Sequence, residues 1–192
     1  MFKNKKYKLP KDSFIGGWFI PEKICNGLIS YYNKNNSRVE AGKIDENVIN
    51  KSVKDSYDLQ ILSDNFDPEV LEYRKHLQII LEKYIKEYPE INNYAHFNVS
   101  AFNIQKYKPY GGFKLWHFER ASTFYANRIL VFMTYLNTLK NGGTYFKYQK
   151  KKIPSIKGLT LIWPTDFTHT HKGVITNKEK IIATGWFSLN EL

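Results

Sequence analysis

Cysteine occurs once in this chain, at Cys25, which excludes an intrachain disulfide and a thiolate metal site. No apolar run reaches the roughly eighteen residues a transmembrane helix requires, so no membrane span and no membrane partner are expected. The basic start Met1-Phe-Lys-Asn-Lys-Lys-Tyr-Lys8 is not followed by an apolar segment, so an ordinary secretory signal is not expected either. These absences predict a cytoplasmic protein in a reducing compartment. Acidic residues are also scarce: 18 Asp and Glu against 29 Lys and Arg leave a formal charge of +11. That excess invites a nucleic-acid partner. The lysines are spread along a chain that is also rich in Asn, Ile and Tyr, however, and surface solvation ranks first as their explanation.

What is present is enough for one folded core. The 192 residues are 42% hydrophobic and 16% aromatic, with 14 Tyr and 13 Phe, a composition that leans toward sheet. A single domain, 1–192, is expected: 1–93 as leader and helical cover, 94–192 as a β-rich core.

Ser13 to Ile20 is apolar and reads as a short buried strand. Pro21 opens a first helix, with Ile24, Leu28, Ile29 and Tyr32 at helical spacing. Residues 38–65 are polar and read mostly as loop, with a short strand within Asn50–Leu59. Asp67-Pro68-Glu69 predicts a second helix, with Asp67 as its cap, Val70, Leu71, Leu77, Ile80, Leu81, Tyr84 and Ile85 on one face, and Pro89 as its stop. His76, on that helix, is expected at the surface or boundary beside Glu72.

Beyond Asn93 the period becomes alternating. Strands are expected at His96–Tyr107, Trp116–Glu119, Arg128–Asn137, Thr144–Tyr148, Leu159–Trp163, Phe167–His171 and Lys180–Ser188, with a turn at Asn141-Gly-Gly143. Short strands punctuated by turns, after two helices, predict a mainly β (α+β) fold: a jelly roll with two N-terminal covering helices.

The chemistry centres on His117-Phe-Glu119. On an extended strand, positions i and i+2 share a face about 6–7 Å apart, so both side chains can reach one point. A histidine from a distant strand would complete two imidazoles and one carboxylate, the facial set of a non-heme Fe(II) oxygenase. Thr-His169-Thr-His171 offers two donors, and periodicity alone does not choose between them. His96 is expected to be structural.

The stretch Phe102–Phe187 resembles the catalytic core of the Fe(II)/2-oxoglutarate-dependent dioxygenases, particularly the prolyl 4-hydroxylase-like branch. The resemblance rests on the order Gly-Gly, His117-x-Glu119, Tyr135-Leu-Asn, Gly-Gly, His-x-His171-x-Gly and Lys180 with Trp186 six residues on. Phe14–Tyr32 and Lys51–Leu59 loosely resemble the leader of small microbial and phage members. The resemblance implies a double-stranded β-helix, Fe(II), 2-oxoglutarate and O₂ as co-substrates, and a hydroxylase releasing succinate and CO₂. It implies His117, Glu119 and His171 as catalytic metal ligands, with His169 the alternative to His171. It further implies Lys180 on the far carboxylate of 2-oxoglutarate, assisted by Thr184, with Tyr107 and Tyr135 lining the co-substrate site.

Three departures stand out: Glu119 replaces the usual Asp, the His171–Lys180 gap is one residue shorter, and Gly-Gly-Thr144 lacks an acid. The expected substrate is peptidyl (prolyl included) or a small molecule. A nucleic-acid oxygenase ranks lower because no second arginine follows Lys180 in Gly185-Trp-Phe-Ser-Leu. A non-catalytic jelly-roll binding module is the remaining alternative. The motifs leave the primary substrate and the oligomeric state open.

Overall fold

The computed structural model describes residues 4–44, 48–92, 97–99 and 101–189. In chain order the elements are β1 (Gly16–Phe19), α1 (Glu22–Lys34), β2 (Glu40–Ala41), β3 (Lys54–Asp55), β4 (Tyr57–Leu62) and α2 (Pro68–Glu87). Then follow β5 (Phe97–Asn98), β6 (Ala101–Tyr107), β7 (Gly112–Phe113), β8 (Arg128–Tyr135), β9 (Leu139–Phe146) and β10 (Lys151–Ser155). β11 (Leu159–Pro164), β12 (His171–Gly173) and β13 (Lys180–Leu189) complete the chain.

The major sheet runs β1-β11-β8-β13-β6-β4-β2, with β5 pairing on β13, and all its pairings are antiparallel. A minor sheet, β10-β9-β12, faces it, and β3 pairs with β7. This is the double-stranded β-helix, or jelly roll, that the alternating strands predicted, covered by α1 and α2. Strands β1, β2 and β4 are built into the major sheet, so that sheet draws on both halves of the chain.

Two cores follow from this layering. The outer one joins Leu28 and Tyr32 of α1 and Val70, Tyr73, Leu77, Ile80 and Leu81 of α2 to Leu59, Phe102, Ile104, Leu130 and Phe132 of the sheet. Full burial of each such aliphatic side chain contributes roughly 1.5–3 kcal/mol. Polar atoms entering this layer are paired: the Tyr73 hydroxyl lies 3.0 Å from Thr134 Oγ1, and Tyr84 donates to the Phe14 carbonyl at 2.9 Å. Cys25 is buried here, and burial raises its thiol to about 12, which makes it inert. The inner core, between the sheets, holds Val131, Met133, Tyr135, Phe146, Leu161 and Trp163.

Several expectations need correction. Residues 38–65 are mostly loop as expected, but their main strand ends later than Leu59: β4 runs to Leu62, pairs with β6 over six residues and draws β2 in beside it. Asp67 precedes α2 as expected, but its carboxylate makes no cap bond and instead accepts from Tyr31 Oη at 2.6 Å. His76 is buried rather than at the surface, with Nε2 3.7 Å from Glu72. Asn141-Gly142-Gly143 is not a turn but lies inside β9. Gly143 adopts φ 129°, and a side chain there would collide with the Ile153 carbonyl across a register shift in the β9–β10 pair. The chain reverses later, where Lys150 N–H bonds back to Lys147. His96 lies outside the described residues.

Candidate metal and co-substrate site

His117 and Glu119 do not sit on a regular strand. His117 forms a single antiparallel bridge with His171, the two residues exchanging backbone hydrogen bonds of 3.0 and 2.8 Å. The Glu119 and Arg120 N–H groups both donate to the Thr165 carbonyl, at 3.1 and 3.2 Å. Arg120 then clamps Asp166 through Nε at 3.0 Å and Nη2 at 2.6 Å. Two loops, rather than a ladder, therefore hold the His-x-Glu segment against β12.

The strand expected over Phe167–His171 is also divided. Phe167–His169 is a 3₁₀ turn, and the strand begins only at His171. The two histidines thus point apart. His169 is buried, and its Nε2 donates to the Ser13 carbonyl at 3.0 Å while Nδ1 lies 3.0 Å from Thr168 Oγ1. His171 instead joins His117 and Glu119: one donor atom from each lies within 4.8 Å of the others.

Both imidazoles of that trio are prepared as ligands. His117 Nδ1 lies 3.0 Å from the Leu115 carbonyl and His171 Nδ1 lies 2.9 Å from the His169 carbonyl. A carbonyl can only accept, so each Nδ1 carries the proton and each Nε2 presents a lone pair. Both Nε2 atoms stand 3.5 Å from the same oxygen, Glu119 Oε1. The other oxygen, Oε2, accepts a hydrogen bond from Trp186 Nε1 at 2.9 Å. Phe113 stacks on His117 at 3.6 Å, and Trp163 meets His171 edge-on at 5.1 Å.

The protonation states agree with this geometry. Burial pushes Glu119 up, but the hydrogen bond and charge of His117, then His171 and Arg128, more than offset it and bring the carboxyl to about 2. Burial, followed by the charge of His117, lowers His171 to about 3. A carboxylate at Glu119 and a neutral imidazole at His171 are forms that a divalent cation binds. The donor set therefore fits a 2-His-1-carboxylate iron.

The trio opens on a cavity of about 860 Å³. Its wall includes Lys180, Ile182, Thr184 and Trp186, alternate residues of β13, together with Tyr107, Val131, Met133 and Thr144. Lys180 is 5% exposed, makes no ion pair among the described residues, and places Nζ 4.7 Å from the Tyr107 ring centroid. Burial lowers it to about 8. A buried cation of this kind at a pocket wall calls for an anion.

Thr184 also lines the cavity, with its hydroxyl donating to the Phe132 carbonyl at 2.9 Å. The Tyr107 hydroxyl donates to Gln105 Oε1 at 2.6 Å, and Gln105 bonds Asp58, which pairs with the buried Lys54. Tyr135 is not part of the cavity wall. It is fully buried in the inner core and reaches the cavity only through its 2.8 Å bond to Thr144.

Residues 102–188 match the model of the 2OG-Fe(II) oxygenase superfamily. The chain carries a 2OG-Fe(II) oxygenase domain. No curated protein matches it closely enough to be compared. Among solved structures, a prolyl-4-hydroxylase from Pseudomonas putida aligns with TM-score 0.71 at 13% identity, covering 93% of this chain and 94% of its own. The viral collagen prolyl hydroxylase of Paramecium bursaria Chlorella virus-1, as its 2OG complex, gives 0.68 at 18% identity over 92% and 97%. A prolyl hydroxylase of Trichoplax adhaerens, in complex with a hypoxia inducible factor peptide fragment, gives 0.74 at 14% identity over 92% and 84%. At these identities the likeness is one of fold.

Within this oxygenase fold, sequence reasoning missed two contributors. Trp186 was noticed only for its distance from Lys180, although its even spacing from Lys180 and Thr184 on one strand placed it on the cavity side. Thr165, whose carbonyl fixes the Glu119 backbone, carried no signal at all.

Proposed function

We propose that this 2-oxoglutarate-dependent oxygenase hydroxylates a peptide substrate, with a prolyl residue as the first candidate target. The observation that carries the reading is the convergence of His117, Glu119 and His171 on the cavity that holds the unpaired Lys180. In this reading His117 Nε2, His171 Nε2 and Glu119 Oε1 would hold Fe(II). The iron, with 2-oxoglutarate and O₂, supplies the oxidising power that places a hydroxyl on a substrate carbon while succinate and CO₂ leave.

The chain's own residues do the rest. Lys180 draws the far carboxylate of 2-oxoglutarate to the β13 end of the cavity, and the Tyr107 ring packs beneath the ammonium. Thr184 keeps an acceptor lone pair turned to the cavity. Val131, Met133 and Ile182 keep the interior apolar and limit water near the reacting centre. Tyr135 acts at one remove, holding Thr144 in the wall.

Peptide rather than metabolite is supported by the size of the cavity, about 860 Å³, and by its lining, which includes Arg38, Lys43, Tyr125 and Phe124, the last 68% exposed. The prolyl hydroxylase fold neighbours, one of them with a bound peptide, point the same way. The test is anaerobic titration with Fe(II) and 2-oxoglutarate, followed by succinate release on a panel of proline-containing peptides. A visible charge-transfer band in the wild type, lost in His171→Ala, with peptide-stimulated succinate is expected. No band would overturn the iron assignment, while a band with turnover only on small acids would overturn the peptide.

A further inference from the structure

The outer face of the minor sheet carries a second feature, on the opposite side from the oxygenase cavity. Tyr145 of β9 is in register with Lys152 on β10 and with Lys172 on β12. Directly paired residues project from the same face, so the three form a row across the sheet. The bridge between His117 and His171 extends that row, bringing Trp116 edge-on to Tyr145 with ring centroids 5.7 Å apart. The Lys172 ammonium lies 4.6 Å from the Trp116 ring centroid. The sequence across the sheet is therefore Lys152, Tyr145, Lys172, Trp116: cation and ring in alternation. Lys147 stands beside it, 6.0 Å from Trp116 and 5.6 Å from Tyr148.

The lysines of this face, Lys147, Lys152 and Lys172, like most lysines of the described residues, make no ion pair, so their charge is available. Two properties separate the face from ordinary solvated surface. The stretch 139–165 holds Lys140, Lys147, Lys150, Lys151, Lys152 and Lys157 and not one Asp or Glu. The rings are accessible: Trp116 is 37%, Tyr145 38% and Tyr148 58% exposed, although Trp18 and Trp163 are buried at 5% and 1%.

We propose that this face binds single-stranded nucleic acid, and that it does so independently of what the oxygenase cavity oxidises. Unpaired cations at sheet spacing meet the phosphates, and the interleaved rings offer stacking faces to unpaired bases. A duplex keeps its bases stacked on one another and would leave Trp116, Tyr145 and Tyr148 without partners. An acidic peptide would satisfy the lysines but not the rings.

The test uses the full chain with fluorescein-labelled dT20 and U20, read by anisotropy and by tryptophan emission. Binding with Kd on the order of 10 μM or tighter at low salt is expected, with a log–log salt slope of about −2 for three contacted phosphates. Lys147→Gln/Lys152→Gln should weaken binding at least tenfold and flatten the slope to about −0.7. The charge-matched control Lys75→Gln/Lys86→Gln, on α2, should stay within about twofold, as distant surface charges are largely screened. Trp116→Phe, which keeps a ring in place, should retain binding but lose most of the emission quench. Equal loss in the patch and control variants would overturn the proposal, as would an undiminished quench in Trp116→Phe. Tighter binding of duplex DNA, of poly-glutamate or of phosphatidylserine vesicles would also overturn it.

Discussion

Trp186 donates its indole N–H to Glu119 Oε2 at 2.9 Å, leaving Oε1 as the oxygen that faces both imidazoles. Glutamate is one methylene longer than aspartate and has one more torsion to restrain. The indole supplies that restraint, and Arg128, 3.6 Å over the Trp186 ring, holds the indole in turn.

Trp186→Phe should therefore keep the fold and the ring stack but release the carboxylate. Metal affinity is expected to fall about tenfold or more, the usual scale for losing a residue that orients a ligand. Anaerobic calorimetry with Fe(II), or with Co(II) as a spectroscopic probe, measures it directly. An unchanged Kd would mean that the Glu119 backbone, fixed by Thr165, is sufficient.

Lys180 gives a pH signature with a defined sign. Below pH 8 the ammonium is protonated in folded and unfolded chains alike, and the folded chain bears the full cost of burying it. Between about 8 and its ordinary 10.5, the folded form has lost its proton while the unfolded form has kept it, so stability should rise with pH across that window. Lys180→Met should abolish this rise and stabilise the unliganded protein below pH 8, seen by urea unfolding. Co-substrate binding runs oppositely: the apparent Kd for 2-oxoglutarate should rise about tenfold per unit above pH 8, as the charged fraction falls. A Kd flat to pH 9.5 would remove Lys180 as the anchor.

His169 and His171 should separate by phenotype. His171→Ala is expected to abolish metal binding. His169→Ala should leave the metal Kd nearly unchanged and cost about 1–3 kcal/mol of stability, because the Ser13 carbonyl loses its buried donor. Loss of metal in both variants would place His169 closer to the iron than its bond to Ser13 allows.

Gly143→Ala should be among the most destabilising single-methyl changes in the chain. A methyl at φ 129° would run into the Ile153 carbonyl, and relief would require opening the β9–β10 pair beside Thr144. A loss of about 2–3 kcal/mol is expected in urea unfolding, on the scale of a side chain forced into a glycine-only conformation.

The legible parts of this molecule were those written in local chemistry. Asp67-Pro68 and the apolar stripe after it announced α2 because proline and helical period act within one element. The order of His117, Glu119, His171 and Lys180 announced the oxygenase because their chemical types are few and their spacing is constrained. What escaped depends on partners remote in sequence. The strand expected within Asn50–Leu59 gave no sign that it runs on to Leu62 inside the major sheet, because β6 supplies its hydrogen bonds. Asn141-Gly-Gly143 reads as a turn because glycine permits one, but the close approach of Ile153 is the reason glycine is there. Two histidines at i and i+2 looked equivalent until a 3₁₀ turn separated them.

The reciprocal backbone bonds between His117 and His171 have a dynamic consequence. Two of the three residues that would grip the ion are also the rungs of their own isolated bridge, so the seam cannot open without parting the imidazoles. An ion held by both rings would act as a clasp on that seam. Amide hydrogen exchange at residues 117 and 171 should slow on metal addition, by a factor that grows with metal concentration above Kd, while amides deep in β8 and β13 keep their rates.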